Sequence, residues 1–131
     1  ANKEEFQQIL DTQSNSEKIL IDKMHEYGPK TVLLTDGPNG AYASDGKQIV
    51  YMPPYPDPKP PLDRTGAGDS YTSTFTYGIM QGKSMQESLA WAGVNSMSVV
   101  QQVGAQAGLL EEEEIEELLK KAPKNYSSKV L

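Results

Sequence analysis

The sequence is 131 residues long, 37% hydrophobic and 23% charged, with a formal net charge of −6 at pH 7 and no cysteine. This length indicates one domain with a core of its own. The acidic balance argues against a nucleic-acid backbone as a partner, and the lack of cysteine excludes disulfides, thiolate catalysis and cysteine-based zinc sites. No apolar run approaches the roughly 18 residues of a membrane span, and the polar residues 1–10 are unlike a signal peptide. We therefore expect a cytoplasmic protein that binds neither nucleic acid nor membranes.

The chain is predicted to open with two helices. Asn2 favours the N-cap of a first helix that runs through Leu10. A second helix with one apolar face ends at Gly28, a residue typical of helix C-termini. His25 is the only histidine and lies off that apolar face, so we expect it at the surface rather than in a metal site.

Three strands are predicted next. The apolar run 31–35 is typical of a strand buried on both faces, and a helix followed by such a strand predicts α/β layering with a parallel sheet. Residues 36–40 contain two glycines and a proline, which predict a tight turn. Strands over 41–44 and 47–52 are predicted to form a hairpin at Asp45-Gly46.

A proline-rich connector over residues 53–61 leads to a glycine turn, Gly66-Ala67-Gly68, at the start of a predicted helix. The buried face of this helix is marked by Tyr71, Phe75 and Ile79. Because the first amides of a helix are unpaired and lie at the positive end of its dipole, the turn can bind phosphate. Asp69 stands where it could accept a proton from a substrate hydroxyl. Taken alone, the pattern also fits a structural turn with Asp69 as a helix cap.

Two further helices are predicted, over residues 85–100 and 111–121. The first carries small side chains that let a helix or a flat ligand approach closely: Ala90, Ala92, Gly93 and Ser96. The second has its acids at the N-terminal end and its lysines at the C-terminal end, so the glutamates form a solvated face and not a metal site. Residues 122–131 are predicted to be a tail.

Four motifs of this chain resemble those of the ribokinase-like (PfkB) carbohydrate kinases, in the order in which the family has them. Asp63-Arg64-Thr65-Gly66-Ala67-Gly68-Asp69 resembles the signature D-T-T-G-A-G-D and departs from it at Arg64. Asn2-x-x-Glu5 is similar to N-x-x-E, Thr35-x-Gly37-x-x-Gly40 to the nucleotide loop T-x-G-x-x-G, and Gly104-Ala105 to the G-A loop. The resemblance implies a three-layer α/β fold with a partial sheet, helices on both faces and a β-hairpin.

The resemblance also implies roles for individual residues. Asp69 corresponds to the catalytic base, and the amides of Gly66, Ala67 and Gly68 to the anion hole. Nucleotide contacts are implied at Thr35, Gly37, Gly40, Asn95 and Gly104. Mg²⁺ is implied through water near Asn2 and Glu5, and a monovalent cation such as K+, bound by some members, beside Asp63 and Thr65. Simpler alternatives remain: Asn2 as a helix cap, residues 36–40 as a plain turn, and Asn95 as polar helix surface.

The implied activity is transfer of the ATP γ-phosphoryl group to a hydroxymethyl group of a sugar or nucleoside. Family members are longer, and their sugar-binding residues precede the region matched here, so the chain is expected to lack the N-terminal substrate-binding part. We expect weak nucleotide binding without sugar phosphorylation by the chain alone, and an exposed sheet edge through which it could form a homodimer. The alternative is a non-catalytic nucleotide-binding or interaction module of the same fold.

Overall fold

The computed structural model describes residues 1–57, 66–101 and 110–131. Its helices within these ranges are α1 (Lys3–Ile9), α2 (Glu17–Glu26), α3 (Ala67–Met80), α4 (Met85–Val100) and α5 (Glu112–Lys120), with a short 3-10 helix over Gly37–Asn39. Its strands are β1 (Val32–Thr35), β2 (Ala41–Ser44), β3 (Ile49–Met52) and β4 (Lys129–Val130). None of the helices in the described ranges is long and apolar enough to cross a bilayer. The predicted site residues Asp63, Thr65 and Gly104, together with Arg64, lie outside the described residues.

The four strands form one sheet in the order β1-β2-β3-β4, and every pair of neighbours is antiparallel. The expectation of a parallel sheet is therefore wrong for these strands. The reason is that β1 and β2 are joined by a tight turn, and such a short connection can link only antiparallel neighbours. Parallel pairing occurs instead at an isolated bridge between Asn2 and Thr35. At this bridge the Thr35 amide donates a hydrogen bond to Ala1 O at 3.0 Å.

The predicted hairpin is confirmed, although β3 begins at Ile49 rather than at residue 47. One carboxylate oxygen of Asp45 accepts hydrogen bonds from the amides of Lys47, at 2.9 Å, and Gln48, at 3.0 Å. Gly46 has a φ of +88°, a conformation that glycine adopts without strain. The turn is therefore held by the two residue types that mark it in the sequence.

Alternate residues of the strands belong to two different hydrophobic clusters, as expected when successive side chains point to opposite faces of a sheet. The larger cluster joins β2 and β3 to α3, α4 and α5, with Val50, Phe75 and Leu89 among its members. The smaller cluster joins β1 to α1 and α2 through Phe6, Leu20, Ile21, Val32 and Leu34. Helices thus cover both faces, which confirms the expected three-layer arrangement of a partial α/β sheet.

Side-chain burial changes two expectations. His25 is half-buried, with Nε2 2.8 Å from Ser44 Oγ and Nδ1 3.0 Å from Pro29 O. Residues 122–131 are not a free tail, because Tyr126 is only 9% exposed and its hydroxyl donates to Ala90 O at 2.5 Å. The contacts of His25 with Ser44 and of Tyr126 with Ala90 join residues far apart in the sequence, so no local pattern could predict them.

Candidate active site

The glycine turn forms the start of α3, as its sequence predicts. Gly66 is the N-cap with a φ of +81°, and its carbonyl accepts from the Ser70 amide at 2.8 Å. The amides that follow, of Ala67 and Gly68, have no partner within the helix and lie at its positive end. A Cβ placed on Gly68 would meet no atom of the described residues outside its own helix and its chain neighbours within 4 Å, so the backbone there is open to a ligand on that side. This geometry fits a phosphate group.

A cavity of about 520 Å³, here called cavity 1, brings three of the predicted motifs together. From those motifs it is lined by Asn2, Thr35, Gly37, Gly40, Ala67 and Gly68. The rest of the wall consists of Pro38, Pro54, Tyr55, Pro56, Asp57, Tyr71, Gly93, Ser96, Met97 and Val100. Residues separated by more than 60 positions in the chain therefore share one wall, which a set of unrelated turns and caps would not predict.

The turn after β1 is fixed against β3. Gly40 has a φ of +98°, and a Cβ there would overlap Met52 O and lie 2.8 Å from the Tyr51 hydroxyl oxygen. The Asp36 amide donates to Gly40 O at 2.9 Å, and the Tyr51 hydroxyl donates to Asn39 O at 2.8 Å. Only glycine fits position 40, and its presence lets the turn lie close to the strand while facing cavity 1.

Asn2 and Glu5 form a reciprocal capping box at the start of α1. The Glu5 amide donates to Asn2 Oδ1 at 2.8 Å, and the Asn2 amide donates to Glu5 Oε1 at 2.9 Å. The capping alternative is therefore confirmed, and the Mg²⁺ role stays a prediction. Asn2 lines cavity 1, whereas Glu5 is exposed. Within the described ranges, no three histidine or carboxylate side chains are grouped to bind a metal directly.

Asp69 lies in the first turn of α3 and lines a second cavity, cavity 2, of about 590 Å³. This cavity is bounded by α3, α4 and the start of α5, with hydroxyl-bearing side chains such as Ser73, Thr74 and Tyr77. The Asp69 side chain is exposed and forms no salt bridge with any described residue. Its carboxylate is therefore available beside the helix start, where it can accept a proton.

Asn95 is not polar helix surface, because it is only 7% exposed. Its amide nitrogen donates to Thr74 Oγ1 at 2.9 Å, and its carbonyl oxygen accepts from the Leu110 amide at 2.9 Å. It lines cavity 2 rather than cavity 1. The predicted contact of Asn95 with a nucleotide stays a prediction. In the structure, the Asn95 side chain connects α4 to α3 and to the segment before α5.

Several residues that line cavity 1 carried no site prediction from sequence. Gly93 and Ser96 belong to the small-residue face of α4, for which a close approach was expected. The Ser96 hydroxyl donates to Ala67 O at 3.2 Å and so ties α4 to the start of α3. Tyr71 is buried, which raises the pKa of its hydroxyl well above the usual range. Tyr55 follows the strands within the proline-rich segment, where no pattern marked it.

Comparisons with known proteins agree with this geometry. The model of the pfkB family carbohydrate kinases matches residues 1–122. The ribokinase of Bacillus subtilis is 34% identical over 91 residues, which cover 70% of this chain and 30% of the relative. The structure of Arabidopsis thaliana ribokinase complexed with ribose and ATP superposes with a TM-score of 0.82 at 26% identity, over 91% of this chain and 39% of that one.

A second structure, of an E. coli protein provisionally assigned as ribokinase II in complex with ATP and Mg²⁺, has a TM-score of 0.80 at 22% identity. It covers 92% of this chain and 38% of that one. This chain thus spans between about a third and two fifths of the length of these proteins. Since the family model covers nearly all of it, the chain belongs to the pfkB family of carbohydrate kinases.

Proposed function

We propose that this chain supplies the ATP-binding and proton-accepting part of a sugar or nucleoside kinase. The observation that carries the proposal is cavity 1, where the open backbone at Gly68, the turn after β1 and Asn2 share one wall. Asp69 stands next to Gly68 and lines cavity 2 on the same helix start. The similarity to a ribokinase complexed with ribose and ATP supports the same assignment.

The residues of cavity 1 fit a nucleoside triphosphate. The amides of Ala67 and Gly68 offer unpaired donors for phosphate, and the turn containing Gly37 and Gly40 faces the same space. Asn2 and Glu5 would hold Mg²⁺ through water, as the family resemblance implies. The similar E. coli protein complexed with ATP and Mg²⁺ supports that pairing of ligands.

The remaining ligand assignments rest on the family resemblance. They are nucleotide contacts at Thr35, Asn95 and Gly104 and a K+ site at Asp63 and Thr65. Asn95 bonds to Thr74 and to the Leu110 amide, and a side-chain amide with these two bonds has a second donor hydrogen and a second acceptor lone pair for a ligand. Because Asp63, Thr65 and Gly104 fall outside the described residues, a titration with potassium and sodium salts is the direct measurement for the cation.

The proposed reaction is a phosphoryl transfer with Asp69 as general base. The Asp69 carboxylate takes up the proton of the acceptor hydroxyl as that oxygen bonds to phosphorus. The amides of residues 66–68 stabilise the charge on the transferred group. ATP supplies the phosphoryl group and leaves as ADP.

The acceptor site is proposed to come from the polypeptide that corresponds to the rest of the relatives' length. The chain covers 30% of the Bacillus subtilis ribokinase and 39% of the Arabidopsis thaliana ribokinase chain. One edge of β1 is paired only by the bridge between Thr35 and Asn2. A further strand can pair with the sheet along this edge. The strand would come from that remaining part of the kinase, or from a second copy of this chain in a homodimer.

Calorimetric titration with ATP·Mg²⁺ tests the proposal. We expect heat of binding for the wild type and about tenfold weaker binding for Gly68→Ala, because the added methyl group occupies the ligand's side of the backbone. The substitution should not destabilise α3, since the new Cβ meets none of the described residues that pack around the helix and alanine favours a helix more than glycine does. Ser73→Ala, on the cavity 2 side of α3, is the matched control and should bind like the wild type.

The same titration decides between the two functions left open by the sequence. An absence of heat, together with an unchanged melting temperature in the presence of ATP·Mg²⁺, would reject nucleotide binding. The interaction module would then be the better description. If the wild type and Gly68→Ala bind ATP·Mg²⁺ with equal affinity, the nucleotide does not bind at the start of α3.

A further inference from the structure

The start of α3 has no capping side chain. Helices α1, α2 and α4 begin at Asn2, Ser16 and Ser84, and each of these side chains accepts a hydrogen bond from an amide of the first helical turn. Gly66, the N-cap of α3, has no side chain and makes no such bond. The cap therefore leaves the first amides of α3 free for a ligand, but the turn also lacks the bond that usually stabilises a helix start.

Helix α4 holds this turn from its carbonyl side instead. The Ser96 hydroxyl donates to Ala67 O at 3.2 Å, and a carbonyl oxygen has two lone pairs, so this bond adds to the one that Ala67 O accepts within the helix. The preceding residue of α4, Asn95, donates from Nδ2 to Thr74 Oγ1 at 2.9 Å, about two turns further along α3. Neither bond uses an amide of the first turn.

Ala67 O and the Gly68 amide belong to the same peptide unit. A trans peptide is planar, so its carbonyl and its N–H point in opposite directions. In a helix the carbonyls point towards the C-terminus and the N–H groups towards the N-terminus. A donor that fixes the direction of the Ala67 carbonyl therefore also fixes the direction of the Gly68 N–H.

The peptide unit has little local restraint, because glycine stands on both sides of Ala67. Glycine has access to more backbone conformations than any other residue, and Gly66 adopts a φ of +81°. A bond at Ala67 O restricts this freedom before a ligand arrives, which lowers the entropy cost of binding. Bonds in a chain also polarise one another, so a donor at the carbonyl makes the N–H of the same unit a stronger donor.

Ser96 itself lines cavity 1 but is poorly suited to bind phosphate. Its single hydroxyl hydrogen is used in the bond to Ala67 O. What its oxygen can still offer to the cavity is a lone pair, and ionised phosphate oxygens are acceptors too. Any effect of Ser96 on a phosphate must therefore act through the peptide unit that it holds.

We propose that Ser96 is a positioning residue for the phosphate-binding turn: by donating to Ala67 O, its hydroxyl directs the Gly68 N–H into cavity 1. This inference rests on the proposed function, in which that amide binds phosphate. It goes beyond the proposed function by giving a role to a side chain of α4 that belongs to none of the four motifs. The bonds run from Ser96 Oγ through the Ala67–Gly68 peptide to a phosphate oxygen.

Calorimetric titrations with inorganic tripolyphosphate and with ATP, each with Mg²⁺, test the proposal. We expect Ser96→Ala to bind both ligands about fivefold more weakly than the wild type, because both use an amide that is no longer held. Ser96→Thr keeps the hydroxyl and should bind both ligands within about twofold of the wild type.

NMR spectra of the same proteins separate positioning from direct contact. Without ligand, Ser96→Ala should move the resonances of the Ala67 carbonyl carbon and the Gly68 amide nitrogen, because the bond to their peptide unit is lost. The resonances of α5 should stay in place. In the wild type, tripolyphosphate should move the amide proton resonance of Gly68.

Thr76→Ala is the matched control. Thr76 is exposed, lies on α3 and donates its hydroxyl to another helix carbonyl, Thr72 O, at 2.8 Å. The variant therefore loses the same kind of bond from the same helix. It should bind both ligands like the wild type, since Thr76 lines neither cavity 1 nor cavity 2.

Several results would overturn the proposal. If Ser96→Ala binds both ligands as tightly as the wild type, Ser96 positions nothing that they use. Weaker binding without a change at Gly68 in the free protein would mean that Ser96 contacts the ligand directly. An equal loss in Thr76→Ala would indicate a general weakening of α3. If the wild type binds neither ligand, the proposed function fails as well, and the two failures are thereby distinguished.

Discussion

Gly68 and Asp69 are neighbours in the sequence but line different cavities. Successive positions of an α-helix are about 100° apart around its axis, so the first turn of α3 presents open backbone to one side and a carboxylate to the other. A phosphoryl donor and an acceptor hydroxyl can then approach the same helix start without competing for space. At the scale of single residues, our proposal thus assigns the phosphoryl donor to the Gly68 side of α3 and the acceptor hydroxyl to the Asp69 side.

Asp69→Asn tests the role of the carboxylate. In the complete kinase we expect turnover to fall by about 10²-fold or more, because the amide cannot take up the acceptor's proton. ATP affinity, measured on this chain by calorimetry, should stay within about twofold, since Asp69 lines cavity 2. Turnover close to that of the wild type would remove Asp69 from the role of base.

Local residue types predict backbone features better than they predict side-chain partners. The tight turn at Gly40 and the N-cap at Asn2 are visible in the sequence because glycine and asparagine have strong local preferences. The burial of Asn95 was not predictable in that way, because its partners Thr74 and Leu110 are 21 and 15 positions away. Tyr126 was missed for the same reason, since its contacts lie in α4 and in the segment after β3.

At the scale of elements, the hairpin between β2 and β3 depends on a charge. Hydrogen bonds from the Gln48 and Lys47 amides lower the pKa of the Asp45 carboxyl below its usual range. A carboxyl with a lowered pKa in the folded state stabilises the fold above its unfolded pKa of about 4. That contribution is lost as the pH falls through the lowered value.

Asp45→Asn isolates this effect, because asparagine keeps the acceptor oxygen and removes the charge. We expect the wild type to melt at the higher temperature near neutral pH and the difference to vanish as the pH falls below about 4. Melting curves at several pH values, followed by circular dichroism, provide the comparison. A difference that is independent of pH would mean that the charge of Asp45 contributes nothing.

The identity of most elements could be predicted, whereas their pairing could not. Helices α3 and α4 follow from glycine and serine caps and from apolar spacing, and Tyr71 and Phe75 are buried as expected. The direction of strand pairing was wrong because the apolar run 31–35 is compatible with parallel and antiparallel neighbours alike. The short turn after β1 selects the antiparallel arrangement, and the same turn places Gly37 and Gly40 in the wall of cavity 1.

At the scale of the whole molecule, the candidate site lies where two layers meet. The turn after β1 and Asn2 come from the sheet and its first helix, and α3 and α4 come from the helical layer on the larger cluster. The two hydrophobic clusters fix these layers relative to the sheet, so the wall of cavity 1 depends on the entire fold. A site of this kind cannot be predicted from one motif, and the order of four motifs was the informative signal.

The chain by itself should bind ATP but not phosphorylate a sugar. Asp69 is exposed, and phosphoryl transfer requires an acceptor held in line with water excluded. The chain covers only 30% of the Bacillus subtilis ribokinase, and the rest of that length is available to form an acceptor site. Under our proposal, this chain supplies the ATP cavity and the base, and the hydroxyl is positioned by residues that correspond to the rest of the relatives' length.

The measurement is ADP release by the purified 131-residue chain with ATP·Mg²⁺, with and without a panel of sugars and nucleosides. We expect no increase in ADP on adding any acceptor, at protein concentrations where calorimetry detects bound ATP. The complete Bacillus subtilis ribokinase with ribose serves as the positive control for the assay. An increase that depends on the acceptor, and that Asp69→Asn abolishes, would place the acceptor site within this chain and make cavity 2, which Asp69 lines, its location.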